Sequence, residues 1–157
     1  MLAQPALSLV NSRFPIFLLL AAGLGHTGCG NGSGPAPGPA CVSGLSVDCQ
    51  PLYDPPTYAT IFSRILQPTC AQGIGTCHTS DAAKAGLVFQ DVDLSYSLLT
   101  GAVGGRARVI PGDPSCSLLV IRLESSDPTF RMPPGPTPLL ESERCDIVQW
   151  IARGASR

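Results

Sequence analysis

Apolar residues recur at helical spacing along the C-terminal two thirds of the chain. Tyr58, Ile61, Phe62, Ile65 and Leu66 fall at i, i+3, i+4, i+7 and i+8, one face of a helix. Thr57 is placed to cap it, and Pro68 is expected to stop it. A second, weaker segment runs from about Val92 to Leu99 and should end at Gly101, Gly104 and Gly105. Asp93 and Asp91 sit where caps belong. A third helix is expected from Asp113-Pro114, a cap followed by proline, through Leu118, Leu119, Val120, Ile121 and Leu123. It is apolar nearly all round and should be buried. A fourth covers Glu141 to Arg153, with Ile147, Trp150, Ile151 and Gly154 on one face and acids in its first turn. Arg131-Met132-Pro133-Pro134-Gly135-Pro136 between the last two must be an extended loop. The pattern predicts a small all-α domain with long loops.

The N-terminal pattern is different. Phe14 to Gly25 is an unbroken apolar run with Arg13 as the only nearby charge. Twelve residues are too few for a bilayer span, which needs about 20, but they suit the apolar part of an export signal. The segment His26-Thr27-Gly28-Cys29 resembles a lipobox, although an aliphatic residue is usual where His26 stands. The expected processing removes residues 1–28 as a signal peptide and lipidates Cys29; a plain cleaved signal is the alternative. Gly30 to Ala40 holds only Gly, Pro, Ala, Ser and Asn, a flexible tether that cannot bury a core. The expected division is signal peptide 1–28, lipidated N-terminus with tether and small Cys loop 29–50, and packed domain 51–157. The localisation implied is exported and membrane-anchored, facing the periplasm or cell surface.

Composition narrows the function. Of 157 residues only 13% are charged, the net charge is −1, and no basic stripe exists, so no nucleic-acid partner is expected. Cys 7 in so short a chain points to an oxidising compartment or a covalent cofactor. With Cys29 lipidated, the simplest pairing joins Cys41 to Cys49 and Cys116 to Cys145. That leaves Cys70 with Cys77, either as a third disulfide or as a cofactor attachment. Asp91 and Asp93 lack the oxygen-rich loop that calcium needs.

Once His26 leaves with the signal, His78 is the only histidine. Zinc sites with two histidines, blue-copper sites and two-histidine haem ligation are thereby excluded within one chain. No Gly-x-Ser-x-Gly elbow accompanies His78, so no enzyme is expected. His78 directly follows Cys77 in Cys70-Ala-Gln-Gly-Ile-Gly-Thr-Cys77-His78. Together with Ala85-Gly86-Leu87, Arg108-Val109-Ile110-Pro111-Gly112-Asp113-Pro114, Met132-Pro133-Pro134 and Trp150-Ile151-Ala152-Arg153-Gly154-Ala155, this resembles an exported bacterial c-type cytochrome domain over about Tyr58 to Ala155.

The resemblance implies a cytochrome-c-like fold with its first and last helices crossing. It also implies haem c attached at Cys70 and Cys77, His78 as proximal ligand, and Met132, the only methionine besides Met1, as distal ligand. Electron transfer with an unnamed redox partner follows, with the membrane reached through the lipid. The chain departs from the family in having six residues between the two cysteines where two are usual. Gly73 and Gly75 could let the extra residues loop out. A Cys70–Cys77 disulfide in a haem-free domain, attachment through one cysteine, or free thiols stay open at this point. Arg106 and Arg108 are either solvated or placed to meet a haem carboxylate.

Overall fold

The computed structural model describes residues 39–72, 76–101 and 107–157. The signal segment, Cys29, most of the tether, Gly104, Gly105 and Arg106 lie outside the described residues. Among those described, every regular element is helical.

The first helix, α1, spans residues 58–70 as three contiguous pieces: α-helical Tyr58–Ile61, π-helical Phe62–Leu66 and α-helical Gln67–Cys70. Thr57 caps it, its Oγ1 accepting from the Thr60 N–H at 3.2 Å. Pro68 does not stop it, contrary to expectation. Proline lacks an N–H and crowds the carbonyl four residues back. The wide π turn shifts the bonding so that Gln67 N reaches the Phe62 carbonyl, and Pro68 falls in the first turn of the next piece. The five residues chosen by periodicity are the ones α1 buries.

Helix α2, Val92–Thr100, is capped by Asp91, whose Oδ1 accepts from Asp93 N at 3.0 Å and Leu94 N at 2.8 Å. It ends at Gly101, where a Cβ would stand 2.6 Å from the Ser97 carbonyl oxygen. Helix α3, Leu118–Glu124, begins later than Asp113-Pro114. Asp113 instead closes a separate turn, with Oδ1 accepting from Ser115 Oγ at 2.8 Å and Cys116 N at 3.1 Å. The buried Ser117 hydroxyl donates to the Asp113 carbonyl at 2.7 Å and accepts from Ile110 N at 2.8 Å. Such local side-chain bonds compete with helix formation. Helix α4, Glu141–Ala152, starts where Glu143 accepts from Leu140 N at 2.9 Å. It ends where Gly154 takes φ 98°.

The core lies where α4 meets α1. Ile61, Ile65, Leu99, Ile147 and Ile151 are fully buried there. The Tyr58 ring packs 5.2 Å from Trp150 and 5.0 Å from Tyr96. Each large apolar side chain buried contributes about 1.5–3 kcal/mol.

The pairing is crosswise: Cys41 joins Cys116 and Cys49 joins Cys145. The expected Cys41–Cys49 and Cys116–Cys145 bridges are not formed. The reason is the path of residues 41–50, which the sequence assigned to a loop outside the packed domain. They run as a strap across α4: Val42 N bonds Ser115 O at 2.9 Å, and Gln149 Nε2 donates to the Cys49 carbonyl at 2.8 Å. The buried Asp146 carboxylate receives Tyr53 N at 3.0 Å and Leu52 N at 3.3 Å. The packed domain therefore begins at the strap and not at Pro51.

Candidate functional site

His78 ends a single 3-10 turn, Thr76–His78. Its carbonyl accepts from Phe89 N at 2.8 Å, and its ring meets Phe89 edge-on with centroids 5.3 Å apart. Nδ1 donates to the Leu87 carbonyl at 3.1 Å. Burial pulls the His78 pKa below the usual imidazole range. The Leu87 and Lys84 carbonyls oppose that shift, and the positive charges of Arg108 and Arg122 add to it. The lowered pKa favours an uncharged imidazole at neutral pH, which donates through Nδ1 to Leu87 in the tautomer protonated there. A backbone carbonyl fixing one nitrogen so that the other can coordinate is the arrangement metal-bound histidines use.

The Leu87 carbonyl is itself held in place. The turn before it, Lys84–Gly86, carries left-handed backbone at Ala83 (φ 37°), Ala85 (φ 55°) and Gly86 (φ 66°). Non-glycine residues adopt that region at a cost. Arg108 pins the turn: Nη2 donates to Ala85 O at 2.5 Å and Nη1 to Leu98 O at 2.6 Å. So Arg108 is neither simply solvated nor paired with a carboxylate. It ties the end of α2 to the His78 side of the molecule.

Met132 is half-buried in the loop after α3. Its N–H donates to the Arg122 carbonyl at 2.9 Å. The Arg122 guanidinium folds back onto the same loop, donating to Phe130 O at 3.0 Å and lying 3.9 Å over the Phe130 ring. Arg122 thus holds the Met132 loop and also acts electrostatically on His78. Sequence reasoning missed Arg122. The available signal was a lone cation in a helix otherwise apolar nearly all round.

Cys70 ends α1 as a free thiol. Burial pushes its pKa up to about 12. Cys77 is half-buried and is a disulfide-bonded cysteine. Since Cys70 is free, the two are not joined to each other, which removes the Cys70–Cys77 disulfide left open above. Two open clefts of about 330 Å³ lie elsewhere, flanking the strap, and neither touches His78 or Met132. Among the described residues no three His, Cys, Asp or Glu side chains gather into a metal cage. Arg131, next to Met132, has its Nε buried without a hydrogen-bond partner.

Residues 75–136 match a family model described as Planctomycete cytochrome C. The match supports a cytochrome-c-like domain. It takes in Cys77, His78, Arg122 and Met132, and it leaves Cys70 outside. No curated protein and no solved structure matches the chain.

Proposed function

We propose that the protein is an exported lipoprotein whose domain holds one haem c and carries electrons, with no catalytic turnover of its own. In this reading Cys70 and Cys77 are the attachment cysteines, His78 the proximal ligand and Met132 the distal one. The observation that carries it is the His78 imidazole, uncharged and held through Nδ1 by the Leu87 carbonyl within the stretch that matches the cytochrome model. When bound, the haem supplies a one-electron ferric–ferrous couple. The chain's residues do the rest. Leu87 and Phe89 orient the His78 ring, Arg108 fixes the turn that presents Leu87, and Arg122 holds the Met132 loop. Cys70 and Cys77 would hold the haem as thioethers, which requires Cys77 as a thiol, its disulfide opened by a dithiol reductant. Lipid on Cys29 would keep the domain at a membrane, facing the periplasm or cell surface, within reach of a redox partner protein.

Production in a host with a working cytochrome c maturation system tests the reading. The expected product keeps its Soret band through acid-acetone extraction and is low-spin and six-coordinate when reduced. Met132→Ala should open the sixth position to carbon monoxide and lower the potential, because the thioether favours ferrous iron. His78→Ala should abolish stable attachment. A colourless matured protein overturns the proposal. The second reading would then stand: a haem-free, disulfide-stapled domain with a binding or structural role. The two long-range bridges and the free Cys70 thiol favour it.

A further inference from the structure

The turn that presents the Leu87 carbonyl to His78 is not one its own residues favour. Ala83, Ala85 and Gly86 take φ of 37°, 55° and 66°. Only glycine enters that region freely, so Ala83 and Ala85 each carry a steric cost from Cβ. Inside the turn, Gly86 N bonds Ala83 O at 2.8 Å and Leu87 N bonds Lys84 O at 3.1 Å. Lys84–Gly86 is a single 3-10 turn, a form with weak hydrogen-bond geometry. Such backbone persists where its surroundings over-determine it. The surroundings here are Arg108. Its own backbone is fixed on both sides: Val109 N bonds Leu99 O at 3.0 Å at the end of α2, and Leu119 N at the start of α3 bonds Arg108 O at 2.9 Å. From that base the guanidinium holds Leu98 O through Nη1 and Ala85 O, in the middle of the strained turn, through Nη2. A planar fork can hold two separate carbonyls in fixed directions, whereas lysine offers a point charge on a flexible stem. Met132 hangs instead from the Arg122 carbonyl on α3 and shares no described hydrogen bond with this turn.

We infer that Arg108 is a latch, a positioning residue that holds the turn against its own strain and thereby keeps the His78 proton on Nδ1 and Nε2 bare. Its use to the protein rests on the haem reading above, but the latch acts in the chain itself. With the latch released, the turn relaxes, the Leu87 carbonyl leaves Nδ1, and the ring exchanges tautomers and turns against Phe89. The proximal side of the site is thus set by α2 and the Arg108 fork, and the distal side independently by α3 and Arg122.

The test uses the full mature chain, labelled with nitrogen-15 and purified without haem. Ring nitrogen shifts at about pH 9, well above the ordinary imidazole value, report the tautomer of the neutral ring. Wild type should show His78 protonated at Nδ1. Arg108→Gln should move most of the population to Nε2–H. It should also speed exchange of the Phe89 N–H, which bonds the His78 carbonyl, at least roughly tenfold, the scale of one charge-assisted hydrogen bond. Exchange of the Met132 N–H should be unchanged, which a general loss of stability would not allow. Arg108→Lys keeps the charge without the fork and should follow Arg108→Gln; the same readings on it decide the matter if Arg108→Gln does not fold. Adding Ala85→Gly to Arg108→Gln removes a Cβ cost from the turn and should restore both the Nδ1–H tautomer and Phe89 protection. A tautomer that Arg108→Gln does not move, equal loss of protection at Phe89 and Met132, or no recovery with Ala85→Gly overturns the inference. Covalent haem in the matured protein together with an unmoved tautomer removes this inference alone. Colourless matured protein whose tautomer does follow Arg108 keeps the latch and removes the haem reading.

Discussion

Replacing Cys41 by Ala tests the crosswise staples directly. The Cys41–Cys116 bridge closes 75 residues and the Cys49–Cys145 bridge closes 96. On the loop-entropy account either one alone contributes about 4–5 kcal/mol. The loops overlap, so the contributions do not add. With Cys49–Cys145 in place, the shortest covalent route from Cys41 to Cys116 passes through that bridge. It covers eight residues of strap and twenty-nine between Cys116 and Cys145. A loop of about 37 residues contributes roughly 4 kcal/mol. For a domain of about 115 residues that is a fall in Tm of roughly 15 °C. Calorimetry of Cys41→Ala against wild type measures it. Alkylation of the folded variant followed by peptide mapping identifies the orphaned thiol. Cys116 should be labelled and Cys49 should not. Labelling of Cys49, or a Tm change under a few degrees, refutes the argument.

Other outcomes follow from single residues. Asp146→Ala leaves the Leu52 and Tyr53 N–H groups without an acceptor and should cost about 2–4 kcal/mol in urea denaturation. Burial raises the Asp146 carboxyl above 3.8 despite those N–H bonds, so its contribution is fully present below that value and is lost as pH rises through the folded value. Asp146→Asn should accordingly be weakest relative to wild type in acid and recover as pH rises; a deficit that grows with pH would sink this reading. The Cys70 thiol, at about 12, should react with iodoacetamide at pH 8 roughly a thousandfold more slowly than an exposed cysteine and should become reactive on unfolding. Gly101→Ala drives a methyl against the Ser97 carbonyl at 2.6 Å and should lower stability by about 1–3 kcal/mol, read as a shifted urea midpoint.

Periodicity made α1 and α4 legible because a helix that buries one face must repeat its apolar residues at that spacing, and Thr57 and Asp91 cap as their side chains suggest. Local rules failed where a longer-range arrangement decided. Pro68 reads as a stop until a π turn absorbs it. Asp113-Pro114 reads as a helix start until Ser117 turns inward and Asp113 closes its own turn. Cysteine arithmetic gives an even count but no connectivity, because pairing depends on where the strap crosses α4. At the site, His78 stood out by scarcity and by following Cys77, and Met132 by scarcity and by the Met-Pro-Pro run of the resemblance. Arg122 did not, because its importance comes from the loop folded back over it.

The strap also decides how the domain bears mechanical load. A pull applied between the residues before Cys41 and the C-terminus does not run along the whole backbone. The shortest covalent route passes from Cys41 along the strap to Cys49, across to Cys145, and out through the end of α4. Only about 20 residues lie on that route, so the bridged chain can lengthen by no more than roughly 70 Å before a bond must break. Everything from α1 through the Met132 loop hangs off it as a slack branch. A domain held at one end and pulled at the other would strain its strap and last helix while His78 and its carbonyl partner stayed at rest.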